Sequence, residues 1–270
     1  MKLKGSKRLL KSTIEVRSVG IGFVPMKSTS TIFTLALLTT SLSSFLQPQT
    51  INRWHKISNF AQSIADTETT QIRKLPKVII FDLDGCLWRP EMYELLYFSG
   101  GRGAPFTTDP SNPMQLRTIG NEPVYTLGDV KEIFQDLHQE AKGRFEGIQI
   151  GISSRTDEPD WARELLQKFQ IDNTTMEQIV SLGDIFRNSG GPIEIAKDSK
   201  VEHFFRICET CGVEMEEILF FDNELGNCRQ VATLGVTVAY CPDGVTSRDW
   251  NYALDEGFPR KDGKVLGVDC

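Results

Sequence analysis

Short apolar runs alternate with amphipathic stretches along the chain from Lys77 onward. This alternation is typical of a parallel β-sheet whose buried strands are separated by covering helices. The apolar runs predict four strands, at Val78–Phe81, Gly147–Ile152, Glu217–Phe221 and Val236–Tyr240.

The amphipathic stretches between these runs predict the helices. One helix is expected to begin after Thr126-Leu-Gly-Asp129, whose spacing resembles a capping box and precedes a run of helically spaced apolar residues. Three further helices are predicted at Trp161–Phe169, Lys200–Cys211 and Leu225–Thr233. The order of elements indicates the α/β class, with a doubly wound, Rossmann-like parallel sheet.

A segment rich in Gly and Pro, residues 99–113, interrupts this order after the first strand. Its composition predicts a loop without regular elements. Loops at the carboxyl ends of parallel strands face the ligand crevice, so we expect a minimal cap or lid over the site. Phe98, Arg102 and Phe106 would either touch a leaving group or tie this lid down.

The first 70 residues have a different composition from the rest. Residues 1–65 hold nine Lys or Arg and one acidic residue, Glu15. A basic stretch, an apolar run at Thr31–Leu38 and a Ser/Thr-rich stretch follow the layout of a signal peptide, and residues 45–74 resemble a plastid-type transit peptide behind it. The apolar run is too short to span a bilayer comfortably. We therefore expect a targeting segment at 1–70 and a folded domain at 76–265, the alternative being a disordered extension of a cytoplasmic protein.

The folded part is acidic, which narrows the classes of partner. Residues 66–270 carry 21 basic and 35 acidic residues, a net charge of about −14. Such a charge argues against nucleic acid and anionic membranes and favours a small soluble substrate. The six cysteines are scattered, and Cys208 and Cys211 share a predicted helix without a second ligand pair, so we expect buried or half-buried thiols.

Two carboxylates follow the first predicted strand, at Asp82 and Asp84. Unpaired carboxylates at the end of a buried strand repel each other and lose hydration, so a cation is their natural partner, and an all-oxygen site suits Mg²⁺. A solvated acidic turn is the alternative.

Three other segments place polar side chains beside strand ends or helix starts. Ser154 and Arg155 follow the second strand, where they could hold phosphate oxygens, although such residues are also ordinary in loops. Lys200 stands at the start of a helix, where the dipole disfavours a cation, so a bound anion would explain it better. Asp222 and Asn223 follow the third strand, where a simple helix cap is the alternative.

Together these motifs resemble the haloacid dehalogenase (HAD) superfamily, and within it the magnesium-dependent phosphatase-1 family. The matching segments are Phe81-Asp-Leu-Asp-Gly-Cys-Leu-Trp88, Ser154-Arg-Thr156, Lys200-Val-Glu-His-Phe204 and Phe220-Phe-Asp-Asn-Glu224. The resemblance covers residues 76–255. It departs from the family pattern at Cys86, where Thr is commoner, at Asn223, which replaces a second aspartate, and in the longer lid.

The resemblance implies a function and a set of roles. Asp82 would attack phosphorus to give an aspartyl-phosphate, and Asp84 would protonate the leaving oxygen and later activate water. Ser154, Arg155 and Lys200 would bind the phosphoryl group; Lys197 competes with Lys200 for this role but lacks the Val-x-His-Phe context. Mg²⁺ would be held by Asp82, the main-chain carbonyl of Asp84 and Asp222, with Asn223 in its outer shell.

The implied function is hydrolysis of phosphate monoesters, such as small sugar or aryl phosphates or phosphotyrosine. A phosphotransferase or a phosphatase acting on a macromolecule would share the aspartyl intermediate. A non-catalytic scaffold that binds a phosphorylated partner is a third reading, which the retention of all the motif residues disfavours.

Overall fold

Six parallel strands form the central sheet of the computed structural model, which describes residues 74–269 except 99, 101, 110, 176 and 177. The predicted targeting segment at 1–70 lies outside the described residues. The strands of the described part are β1 (Val78–Phe81), β2 (Trp88–Arg89), β3 (Thr107–Asp109), β4 (Asn112–Arg117), β5 (Pro123–Thr126), β6 (Gln149–Ser154), β7 (Gln170–Thr175), β8 (Gln178–Ser181), β9 (Ile193–Ile195), β10 (Ile218–Asp222), β11 (Thr237–Tyr240) and β12 (Val265–Leu266).

Helices connect these strands and cover both faces of the sheet. Among the helices of the described residues, none is long and apolar enough to cross a bilayer. The α-helices are α1 (Met92–Phe98), α2 (Val130–Gln139), α3 (Pro159–Lys168), α4 (Leu182–Ser189), α5 (Lys200–Cys211), α6 (Leu225–Ala232) and α7 (Ser247–Tyr252).

The central sheet has the strand order β12-β11-β10-β1-β6-β9. Every residue of β1 and of β10 is buried, because helices pack on both faces. Alternate side chains divide the core into two layers: Phe81 stacks on Phe221 at 5.2 Å on one face, while Phe204 of α5 meets Phe220 edge to face at 4.9 Å on the other. This arrangement confirms the predicted α/β, Rossmann-like, doubly wound class.

The boundaries of several elements differ from the prediction. β6 lies two residues later than expected, and the short edge strands β9 and β12 were not predicted because two or three residues give no pattern. α2 begins at Val130 as predicted, but not through a capping box. Thr126 belongs to β5, and the Asp129 carboxylate accepts a hydrogen bond from the Ser247 amide at 2.7 Å instead.

The prediction of an irregular loop at residues 99–113 holds for the described residues before Thr107, but it is wrong from Thr107 onward, where β3 and β4 form. α1 and an antiparallel sheet of order β2-β5-β4-β3 form what we call the lid, residues 88–126. The prolines fit this sheet: Pro113 lies where the pairing of β3 with β4 is bulged, and Pro123 is the first residue of β5, so neither has to donate a ladder hydrogen bond.

Phe106 ties the lid to the rest of the domain. Its side chain is buried and meets Trp161 of α3 edge to face at 6.3 Å. Its amide donates to the Glu164 carboxylate at 2.8 Å, and its carbonyl accepts from Lys168. α3 follows the Ser154-Arg155 loop directly, so the lid is fastened to an element that borders the strand ends.

The cysteines of the described part are all free thiols, in agreement with the prediction. Cys86, Cys228 and Cys241 are buried, and Cys208 and Cys211 are half-buried.

Candidate active site

Three neighbouring strands bring the predicted residues to one edge of the sheet. β1 lies between β10 and β6, and all three run parallel. Asp82 follows the last residue of β1, Ser154 ends β6 and Asp222 ends β10. Because the carboxyl ends of parallel strands share an edge, these side chains gather as the sequence predicted.

Lys200 reaches into the same place from the first turn of α5. Its ammonium group lies 2.5 Å from Oδ1 of Asp82 and 3.2 Å from Oδ2 of Asp222, and it donates to the Ser153 carbonyl. The residue is only 1% exposed. The anion expected beside this lysine is thus supplied by two carboxylates of the protein itself. A capping box between Ser199 and Glu202 fixes where the helix begins.

Lys197, the competing lysine, is placed differently. Its side chain is 71% exposed and pairs at 2.8 Å with Asp157, which is also exposed. Of the two lysines, only Lys200 meets Asp82 and Asp222.

Burial and neighbouring charges dominate the protonation of this cluster. Burial raises the pKa of Asp82 well above its usual range. The negative charges of Asp222 and Asp84 also raise this pKa, and the positive charge of Lys200 lowers it. Burial lowers the pKa of Lys200, but Asp82 and Asp222 outweigh it, so that this pKa is raised. The two aspartates thus favour the charged form of Lys200.

The Asp84 carboxylate is turned toward the lid. Its Oδ1 accepts from the Trp88 indole N–H at 2.8 Å and its Oδ2 from the Met92 amide at 3.1 Å. Burial raises the pKa of Asp84 to about 6, against the effect of these two donors. The turn depends on Gly85, whose φ of +72° suits glycine and whose Cβ would lie 2.2 Å from the Asn223 amide nitrogen.

A cavity of about 270 Å³ opens above the cluster. Arg155 is held at its side by a 3.2 Å hydrogen bond from its guanidinium to Oδ1 of Asn227. The lining consists of Asp82, Asp84, Glu91, Tyr93, Ser154, Arg155, Thr156, Asp157, Lys200, Glu224 and Asn227.

Asn227 is a site residue that sequence reasoning missed. Its amide nitrogen donates to Asp222 at 3.3 Å and to Glu224 at 2.9 Å, while its carbonyl oxygen accepts from Arg155. Its position in the sequence could have indicated this role, because Asn227 follows Glu224 by three residues in a predicted helix. This spacing puts two side chains on one helix face. Glu91 and Tyr93 had no such signal, because the lid sequence predicted no element there.

The donor set suits a hard divalent cation. Asp82 and Asp222 present carboxylate oxygens, and Oδ1 of Asn223 is buried without a hydrogen-bond partner among the residues that the structure describes. Mg²⁺ takes one or two protein carboxylates and keeps several waters, so these oxygens fit it. Within the described residues, no three His, Cys, Asp or Glu side chains gather as a complete metal cluster. Since the side chain of Asp84 is engaged by Trp88 and Met92, Asp84 would contribute its main-chain carbonyl, as the resemblance implies.

His203, also on α5, is fully buried against the end of β6. Its Nδ1 lies 3.0 Å from the Ser153 hydroxyl, and its Nε2 is buried and has no hydrogen-bond partner in the described part of the chain. Burial, followed by the charge of Lys200, lowers the pKa of His203 to about 4. The unfolded chain takes up this proton near pH 6.5, whereas the folded chain takes it up only near pH 4. The contribution of neutral His203 to stability is therefore complete above pH 6.5 and is lost as the pH falls from 6.5 toward 4.

We expect the free energy of unfolding to fall by about 2 kcal/mol between pH 7.5 and pH 5 through His203 alone. Urea denaturation at the two pH values measures the change. His203→Asn keeps a polar group near Ser153 and does not titrate, so its dependence should be flatter by that amount. An equal slope in both proteins would show that His203 is not the titrating group.

Comparison with known proteins gives the family. The acid phosphatase family matches residues 74–258. A HAD-like hydrolase superfamily protein of Schizosaccharomyces pombe is 29% identical over 166 residues, 61% of this chain and 84% of that protein. Magnesium-dependent phosphatase 1 of Homo sapiens is 27% identical over 182 residues, 67% of this chain and 87% of that protein.

Among solved structures, a HAD family enzyme of Bacteroides thetaiotaomicron aligns with a TM-score of 0.42 and 14% identity, over 68% of this chain and 100% of that one. The resemblance predicted from the motifs is confirmed by the family match and the two relatives. The matched residues 74–258 contain every motif from Phe81 to Glu224, and the chain therefore belongs to the acid phosphatase family, in agreement with the HAD resemblance of its motifs.

Proposed function

We propose that this protein is a magnesium-dependent phosphatase that hydrolyses small phosphate monoesters, such as sugar or aryl phosphates or phosphotyrosine, through an aspartyl-phosphate on Asp82. The observation that carries the proposal is the contact of Lys200 with both Asp82 and Asp222, at a cavity that Asp82, Lys200 and Ser154 line. A carboxylate nucleophile, a fixed cation and a hydroxyl around one small space suit phosphoryl transfer.

In the first step a carboxylate oxygen of Asp82 attacks phosphorus. The bond between phosphorus and the ester oxygen breaks, and the departing oxygen takes a proton from Asp84. A general acid works best when its pKa lies near the working pH. With a pKa raised to about 6, Asp84 can carry the proton in the first step and act as a base in the second.

In the second step Asp84, now ionised, takes a proton from a water molecule whose oxygen attacks the phosphorus of the aspartyl-phosphate. The bond from phosphorus to the Asp82 oxygen breaks, inorganic phosphate leaves and the carboxylate is restored. Splitting one displacement into two in this way lowers each barrier.

Lys200, Ser154 and Arg155 would bind the phosphoryl oxygens. Lys200 already touches the nucleophile, so a phosphoryl group on Asp82 would share its ammonium group. Arg155 is kept at the cavity wall by Asn227 and presents a guanidinium, which binds phosphate with two hydrogen bonds. These donors supply positive charge where the transition state gains negative charge.

Asp82, Asp222, the Asp84 carbonyl and Asn223 would hold Mg²⁺. When bound, the ion neutralises charge on the nucleophile and the phosphoryl group. The name of the human relative supports this choice of metal, as does the all-oxygen donor set with its unpartnered Oδ1 on Asn223.

We expect p-nitrophenyl phosphate to be hydrolysed only when Mg²⁺ is present. Activity should fall to background after chelation with EDTA and return when Mg²⁺ is added back, with Ca²⁺ as the control ion because it prefers a larger and more flexible ligand set. Phosphate release measured over a Mg²⁺ titration tests this. Undiminished release in EDTA would contradict the proposal.

A further inference from the structure

Both oxygens of the Asp84 carboxylate are held by the lid rather than by the sheet. The donor to Oδ1 is the indole N–H of Trp88, the first residue of β2, at 2.8 Å. The donor to Oδ2 is the main-chain amide of Met92, the first residue of α1, at 3.1 Å. The plane of this carboxyl group is therefore set by two lid elements.

Trp88 is itself rigidly placed. Its side chain is fully buried, and its ring stacks on Phe169 with centroids 5.9 Å apart. Its carbonyl accepts from the Gly85 amide at 2.9 Å and its amide donates to the Leu83 carbonyl at 3.3 Å, closing a tight loop around Asp84. The indole N–H cannot follow a carboxyl group that rotates away.

Proton transfer to a leaving oxygen requires the donor in a narrow range of positions. Without a second partner, the carboxyl group of an aspartate rotates about a broad, soft torsion. On the basis of the function proposed above, we propose that Trp88 is a positioning residue, whose indole N–H holds the Asp84 carboxyl group in the orientation that protonates the leaving group. The lid would thus orient the acid as well as cover the cavity.

A buried indole N–H needs a hydrogen-bond partner in any case, so the contact alone could serve stability only. Leaving groups of different basicity separate the two roles. An alkoxide is a poor leaving group and must be protonated as it departs, whereas p-nitrophenolate departs without a proton. kcat/KM reports the steps up to that departure and excludes the later hydrolysis of the aspartyl-phosphate.

The test compares Trp88→Phe with wild type on p-nitrophenyl phosphate and on an alkyl phosphate, 2-glycerol phosphate. Phe keeps a buried aromatic ring and removes the N–H. We expect kcat/KM for the alkyl ester to fall by about 10² and that for the aryl ester by less than about threefold. The ratio of the two constants is measured in one preparation and does not depend on the fraction of protein that is folded.

Phe186→Leu is the matched control, because it weakens the aromatic core at Phe134 and leaves Trp88 and its stacking on Phe169 in place. It should lower stability and leave the ratio of the two constants unchanged. Trp88→Met serves as a second variant without the N–H if Trp88→Phe folds poorly. An equal fall for both esters in these Trp88 variants would overturn the positioning role, whereas a wild-type protein inactive on both esters would overturn the proposed function instead.

Discussion

Replacing Asp82 by Asn is expected to lower kcat by at least about 10⁴-fold, because an amide cannot attack phosphorus and Asp222, the other carboxylate that contacts Lys200, is fully buried. The fold should persist, since Lys200 retains Asp222 at 3.2 Å. Steady-state hydrolysis of p-nitrophenyl phosphate, with the melting temperature of both proteins, measures the two effects.

Asp262→Asn is a suitable control for Asp82→Asn. Asp262 pairs with Arg260 at the surface, and its loss should leave the rate within about twofold of wild type. A folded Asp82→Asn protein that retained a tenth of the wild-type rate would rule out Asp82 as the nucleophile.

Replacing Lys200 by Met is expected to damage both stability and catalysis. It leaves Asp82 and Asp222 buried without their shared cation, and removing one partner of a buried ion pair costs about 3–5 kcal/mol. It also removes a fixed positive charge from the phosphoryl site, for which we expect a loss of about 10³-fold in kcat. Urea denaturation and activity assays at low temperature separate the two losses.

Mg²⁺ should recover part of the stability lost in Lys200→Met, because a divalent ion can neutralise the two carboxylates that have lost their shared cation. Lys197→Met is the matched control: this lysine pairs with Asp157 in solvent, where an ion pair contributes little, so both properties should stay near wild type. Equal effects of the two substitutions would show that Lys200 has no special role.

The sheet was predictable where a strand is buried on both faces. Val78–Phe81 is a continuous apolar run, and it forms β1 with the predicted bounds. β12 has only two residues, which are too few to predict a strand from their own sequence. It forms because its backbone pairs with the edge strand β11. The lid sheet was missed for a related reason. Its prolines discourage a strand locally, and they are compatible with pairing because Pro113 lies at a bulge and Pro123 at the start of β5.

The sequence predicted those features of the candidate site that follow from the topology of the sheet. Strand ends at one edge of a parallel sheet bring Asp82, Ser154 and Asp222 together whatever the side chains are. The partners of each group depend on tertiary distances that no local pattern contains. The lid donors to Asp84 and the bridge from Asn227 to Arg155 are of this second kind.

Trapping the phosphoenzyme tests the central claim most directly. In Asp84→Asn, p-nitrophenolate can still depart without a proton, but no base activates water, so the phosphoryl group should accumulate on the enzyme. Borohydride reduces an aspartyl-phosphate to homoserine, which peptide mass spectrometry locates. We predict homoserine at position 82 with a matching burst of p-nitrophenolate; homoserine elsewhere, or turnover without a burst and without modification of Asp82, would contradict the account.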